Sequence, residues 1–213
     1  MTVPRVRTRS LLCLLALLVL GAGIPHGQAA PARRTFGPYI EDHARYEGQT
    51  KCRRKAKKGV KGFRRIVMNA YPGTRDFGIT RGCEVGGRSE HKEGRAWDWG
   101  VDASSKKDRR KARTLLRWLL ETDPHGNEHA MARRLGVMYV IWNREIWSTW
   151  SGEWRTYCVQ KRRKCKNEDG EVRHPHDDHV HFSFSWDGAR KRTSFWNKEL
   201  SYTEPVEEPP PAP

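Results

Sequence analysis

The sequence predicts an α+β domain, helices interspersed with several strands. Three observations carry that prediction: one amphipathic helical run, one continuous apolar strand, and two segments that alternate polar and apolar residues. The helix is expected over residues 106–121, where Ser104 or Ser105 can cap it, Asp108 suits its first turn, and Ala112, Leu115, Leu116 and Leu119 follow one face. The cluster Asp123-Pro124-His125-Gly126-Asn127 then breaks the chain. A shorter helix is expected over residues 128–135, stopped by Gly136. Residues 137–142, β-branched and aromatic, read as a buried strand. Residues 95–101 and 179–184 alternate as half-buried strands do.

The flanks read differently. Arg5, Arg7 and Arg9 precede an apolar run from Leu11 to Leu20, and Ala29, Ala30 and Ala32 offer small-residue cleavage positions. Residues 1–30 are therefore expected to be a signal peptide, cleaved after Ala29 or after Ala32, with an uncleaved anchor as the competing reading. The run is shorter than the about 20 residues of a membrane span, so no stable span is expected after cleavage. Residues 31–60 are polar and basic and read as a weakly structured leader, and residues 201–213 as a Pro/Glu-rich tail that cannot bury a core. Residues 61–200 are left as a single domain.

Export sets the reading of charge and of cysteine. The chain holds 41 Lys and Arg against 25 Asp and Glu, and removal of the three signal arginines lowers the formal charge from +16 to +13. Such a surface favours polyanions, nucleic acid or, for an exported chain, cell-wall polyanions and acidic peptide stems, with a merely solvated basic face as the alternative. Four cysteines follow the signal segment, and in an exported chain they suggest disulfides, with Cys52–Cys83 and Cys158–Cys165 favoured among the three pairings. Nothing in the composition speaks to oligomeric state.

Two short clusters carry the chemistry. Ser89-Glu90-His91-Lys92-Glu93-Gly94-Arg95-Ala96-Trp97-Asp98 has the form S-x-H-x-x-G-x-A-x-D, and Asp177-Asp178-His179-Val180-His181-Phe182 contains D-x-x-H and H-x-H. They offer His91, Asp98 and His181, two imidazoles and a carboxylate, the donor set of a catalytic zinc site whose fourth position is left to water. A bound metal lowers that water's pKa to roughly 7, which yields a nucleophile at neutral pH. Successive side chains of a strand point to opposite faces. Asp98 therefore shares a face with the small Ala96 and Gly100, which leave room for metal and substrate, and His181 shares one with His179 and Ser183. Two such strands, if adjacent, bring Asp98 to His181 with His91 descending from the preceding loop. The expected chemistry is hydrolysis at a zinc ion.

Over roughly residues 88–184 these motifs closely resemble those of the D-alanyl-D-alanine metallopeptidases and related peptidoglycan peptidases, in the superfamily shared with lysostaphin-type enzymes and the hedgehog domain. The resemblance implies an α+β fold, a small antiparallel sheet flanked by helices and carrying one zinc, and a secreted carboxypeptidase or endopeptidase acting on peptidoglycan peptides. It implies His91, Asp98 and His181 as zinc ligands, Asp178 as general base, His179 as a stabiliser of the developing oxyanion, and Ser89 as a substrate contact. It also implies an upstream arginine for a substrate carboxylate; Arg81 is the candidate, with Arg75 and Arg88 competing. The competing classes are a zinc-containing wall-binding module without turnover and a secreted metal nuclease.

Other features weigh less. His125-Gly126-Asn127-Glu128-His129 fits the inverted zinc-protease pattern H-x-x-E-H, but Pro124, Gly126 and Asn127 break the helix that pattern requires. His174 and His176 are expected to shape the loop entering the last strand or to line the cleft. Of nine tryptophans, Trp142, Trp147, Trp150 and Trp154 are expected along one cleft wall, mostly as core, and Trp186 within reach of the cleft.

Overall fold

The structure is a computed structural model, and it describes residues 30–32, 34–157, 165–166 and 172–203. The expected signal peptide up to residue 29, the tail from residue 204, and Cys158 with its expected pairing to Cys165 lie outside the described residues. Among the described residues no helix is long and apolar enough to cross a membrane.

Along the chain run α1 (Lys58–Ala70), β1 (Arg75–Gly78), β2 (Ala96–Gly100), α2 (Lys106–Leu120), α3 (Ala130–Leu135), β3 (Val137–Trp142), β4 (Glu145–Ser148), β5 (Trp154–Thr156), β6 (Cys165–Lys166), β7 (Val172–Arg173), β8 (Val180–Phe184) and α4 (Trp186–Arg190). The fold is α+β: six strands form one open antiparallel sheet in the order β1-β2-β8-β3-β4-β5, and β6 pairs with β7 alone. The last strand is thus inserted between β2 and β3, at the middle of the sheet. Its register sets Asp98 directly opposite His181 and Ala96 opposite Ser183, and on its other side sets Ile141 opposite His181.

Alternation along β2 and β8 decides what lies on each side of the sheet. Trp97, Trp99, Val180, Phe182 and Phe184 are buried in one cluster with the apolar faces of the helices. Phe63 of α1 sits at its centre, with ring centroids 5.8 Å from Trp97, 5.0 Å from Phe182 and 5.3 Å from Phe184. Helix α2 spans the expected residues and is capped by Ser105, whose hydroxyl accepts from the Asp108 N–H. Helix α3 is shorter than expected, because His129 enters it in a left-handed conformation, and Gly136 ends it in another.

No sequence expectation covers α1. Val60, Phe63 and Val67 do recur at helical spacing and are buried, but Gly59 and Gly62 interrupt the pattern, and glycine is a poor helix former. Packing explains them: a Cβ on Gly59 would lie 2.0 Å from the Gly188 carbonyl of α4, and one on Gly62 would lie 2.5 Å from the Trp196 ring.

Residues 34–57 hold no helix or strand, yet two buried arginines bind this segment to the domain. Arg95 donates to the carbonyls of Glu47 and Phe184 at 2.8 and 2.7 Å and pairs with Glu93, which also accepts from the backbone N–H groups of Thr50 and Lys51. Arg134 donates to the carbonyls of Tyr39 and Gly37 and pairs with Asp123. Burial opposes ionisation of Glu93, but hydrogen bonds from Arg95 and from those backbone groups outweigh it and hold its pKa below the ordinary value. The expected Cys52–Cys83 disulfide closes the same region, with Cα atoms 5.8 Å apart.

Truncation of Phe63 to alanine empties the centre of the cluster. Phe63→Ala is expected to lower stability by about 3–5 kcal/mol, read as a fall in the urea midpoint at unchanged slope.

Candidate metal centre and its cleft

The three expected ligands converge. His181 Nδ1 lies 2.8 Å from Asp98 Oδ1, His91 Nε2 lies 3.1 Å from the same oxygen, and the two nitrogens are 3.2 Å apart. Tetrahedral coordination at zinc-like bond lengths sets ligand atoms about 3.3 Å apart. The triad therefore has the spacing of a metal-binding set, and its side chains are buried. Asp98 and His181 come from facing positions on β2 and β8; His91 comes from the single 3-10 turn Glu90–Glu93, which Gly94 ends in a left-handed conformation at φ 68°. A side chain at residue 94 would also meet the Lys55 carbonyl at 2.3 Å.

The protonation pattern supports a cation here. His91 Nδ1 lies 2.9 Å from the Ile79 carbonyl, an acceptor only, so that nitrogen carries the proton. In the neutral ring the lone pair of Nε2 then faces a carboxylate oxygen and a second imidazole nitrogen. Such a convergence of lone pairs needs a proton or a metal ion at its centre. Burial opposes ionisation of Asp98, but the imidazoles of His181 and His91 outweigh it and hold the carboxyl far below the usual range. Burial also pushes the His181 imidazole down, against the upward pull of Asp98. A carboxylate and neutral imidazoles are the forms that ligate.

The triad lies against a cleft of about 730 Å³. Ser89, Arg81, His179 and His181 line it, and Arg81 reaches within 3.9 Å of Asp98 Oδ2. Arg88 lines it too, whereas Arg75 stacks over Phe77 instead. His174 and His176 are cleft residues as well as loop residues. His176, at φ 50°, has its imidazole pushed down to about 2, first by burial and then by His181 and His179.

Asp178 is placed differently from its expected role. It is exposed and its carboxylate lies 2.6 Å from His179 Nδ1, with the other ring nitrogen of His179 3.6 Å from Asp98 Oδ1. Asp178 thus stands behind His179 rather than against the triad. His174, Asp178 and His179 form a second, more exposed His/Asp/His group at the rim.

Further differences have local causes. The space over Gly100 is filled by Arg75 and Phe77 of β1 and is not open to a ligand. Only Trp150 of the four clustered tryptophans lines the cleft; Trp147 is buried, and Trp142 and Trp154 flank a separate groove beside α2. Trp186 does not reach the cleft, because Ser185 caps α4 at that point and the ring is held between the guanidiniums of Arg95 and Arg190, 4.5 and 4.4 Å from its centroid. His125 and His129 form no metal site: the first faces the Phe36 carbonyl and the second packs on Trp147. Sequence reasoning missed Tyr46, Glu90 and Tyr139 as cleft residues. Tyr139 was accessible to the alternation rule, since it shares a strand face with Ile141; Tyr46 and Glu90 carried no such signal.

A model of the family described as VldE, C-terminal domain, matches residues 52–167, more than half of the chain, and so covers His91 and Asp98 but ends before His181. No curated protein and no solved structure matches the chain.

Two outcomes are expected from this centre. The parent protein is expected to retain a divalent ion through gel filtration and His181→Ala to lose it, as read by metal mass spectrometry. His176 affects stability with a definite sign. Its folded form stays neutral to about pH 2 whereas the unfolded form takes up a proton near 6.5, so its contribution turns unfavourable as pH falls below about 6.5. His176→Asn, which suits the left-handed backbone, should therefore lose about 1–3 kcal/mol less than the parent between pH 7 and pH 4.5 in urea unfolding.

Proposed function

The chain belongs to the VldE C-terminal domain family, and for this member we propose a secreted zinc-dependent peptidase acting on peptidoglycan stem peptides or cross-links. The observation that carries the reading is the buried triad of His91, Asp98 and His181, with ligand atoms 2.8–3.2 Å apart at the side of an open cleft. The motif resemblance adds the substrate class, and the basic surface suits an anionic wall. Zinc fits the donor set of two imidazoles and one carboxylate.

A bound zinc ion supplies Lewis acidity, polarising a scissile carbonyl and acidifying water. The chain's own groups do the rest. With Asp178 ionised, the proton between it and His179 lies on Nδ1, which leaves His179 Nε2 unprotonated on the side of Asp98. The pair then accepts a proton from the attacking water at His179 Nε2, and Asp178 stabilises the imidazolium that forms. On proton return to the leaving amine, the pair is restored. Arg81 and Arg88 are the cleft cations available to a substrate carboxylate, and Ser89 offers a hydroxyl beside them.

One observation favours a second reading. Asp178 is exposed and is not among the cleft-lining residues, as in a zinc-containing wall-binding module without turnover. Asp178→Ala separates the two. For a peptidase, digestion of purified muropeptides should fall at least about a hundredfold while zinc content and wall binding survive. If the parent protein carries zinc and sediments with walls but releases no fragments, the binding module is the function.

A further inference from the structure

The cleft holds a buried carboxylate that the metal centre does not use. Glu90 is 2 % exposed and lines the cleft, and among the described residues no Lys, Arg or His lies within ion-pair distance of it. One of its oxygens accepts from the Tyr139 hydroxyl at 2.5 Å. The other carboxylates in comparable burial, Glu93 and Asp98, are each paired with an arginine or with imidazoles. A carboxylate taken out of water without a counter-charge is costly, so an uncompensated one at a cleft wall marks a place for a cation from outside.

The surroundings narrow the kind of cation. Tyr139, which holds Glu90, packs against Tyr46 and Trp150, and the three ring centroids lie 5.9–6.4 Å apart in tilted and edge-on arrangements. Tyr46 and Trp150 are 59 % and 47 % exposed, so both leave large aromatic surface open to solvent at the rim. A buried carboxylate beside exposed aromatic rings is an arrangement that can hold an organic ammonium, through ring quadrupoles and one charge-assisted hydrogen bond. A second metal ion fits poorly, because the site offers one carboxylate and a phenol whose proton is held by burial and by Glu90. Arg81 and Arg88 line the same cleft and supply positive charge elsewhere in it. Tyr139 also stacks on His181, with centroids 5.5 Å apart, so this aromatic cluster adjoins the candidate metal centre.

We propose that Glu90, Tyr46, Tyr139 and Trp150 form an ammonium-binding subsite that selects peptides carrying a free primary amine beside the scissile bond. This specificity rests on the peptidase reading for the identity of the ligand as a peptide. The amine has two sources of the same chemistry, a diamino-acid side chain or a free amino terminus.

The experiment separates both the sources and the two readings. Zinc-loaded protein is titrated with L-Lys-D-Ala-D-Ala, its Nα-acetyl and Nε-acetyl forms and the diacetyl form; binding is read by tryptophan fluorescence, and cleavage separately by chromatography. The diacetyl peptide should bind about tenfold more weakly than the free peptide, and the monoacetyl form that matches the diacetyl one identifies the amine recognised. Glu90→Gln should bind all four peptides alike with zinc content unchanged. Tyr46→Ala, at an exposed position with little risk to folding, should lose affinity severalfold only for the peptide forms whose recognised amine is free. Equal binding of all four peptides by the parent protein, including binding of none, overturns the subsite. Full amine discrimination in both variants overturns it as well. Discrimination without cleavage supports the subsite and counts against the peptidase reading alone.

Discussion

The candidate metal centre depends on the register of β8 against β2. An antiparallel pair with a period of two can bring Asp98 to His181 only if the strands align at that residue, because a slip of one would turn His181 toward the helices and bury an imidazole against Phe63. The register is held from the other side of the sheet. Trp97 and Phe182, opposite each other, stack at 5.8 Å with their planes 15° apart, and both close on Phe63. Aromatic packing on one face therefore sets ligand geometry on the other. That coupling lets a buried polar triad persist in a small sheet, because the energy that maintains it comes from apolar contacts that never touch a ligand.

The third ligand is placed by a different device. His91 lies on a single 3-10 turn, and so short an element has little stability of its own. Its neighbours hold it. Arg95 and Glu93, both almost fully buried, join the turn to residues 47–51, and the Ile79 carbonyl fixes the ring's tautomer. The Cys52–Cys83 disulfide links the leader to the same loop that carries Ile79 and Arg81. Buried arginines thus do here what a strand partner does for His181: they convert an irregular segment into a fixed frame, at a desolvation cost offset by several hydrogen bonds each.

The cleft face shows why some site residues were legible and others were not. His91, Asp98, His179 and His181 stand in compact motifs, and the alternation of β2 and β8 is a local property, so both donor type and shared face can be read from the chain. Tyr139 followed the same rule in β3. Glu90 did not, because nothing in a turn between Ser89 and His91 says which way a carboxylate points. Tyr46 belongs to a segment without helix or strand whose path is set by hydrogen bonds to residues far along the chain, such as Arg95 to the Glu47 carbonyl. Trp186 was misplaced for a related reason: the capping of α4 by Ser185 turns it away from the strand it follows.

By itself the sequence determined the His/Asp/His group that converges at the cleft, the faces that Asp98 and His181 occupy, the helix at residues 106–121 and the strand at 137–142, since each depends on spacing within a few turns or a few strand residues. Only the tertiary structure decided which strands are neighbours, because Asp98 and His181 are 83 residues apart and their pairing is a contest among all available edges. It also decided that Asp178 contacts His179 rather than the triad, that α1 forms despite its glycines, and that Glu90 bonds to Tyr139 with no Lys, Arg or His of the described residues at ion-pair distance. Those outcomes arise from close packing between distant segments, and no local pattern encodes them.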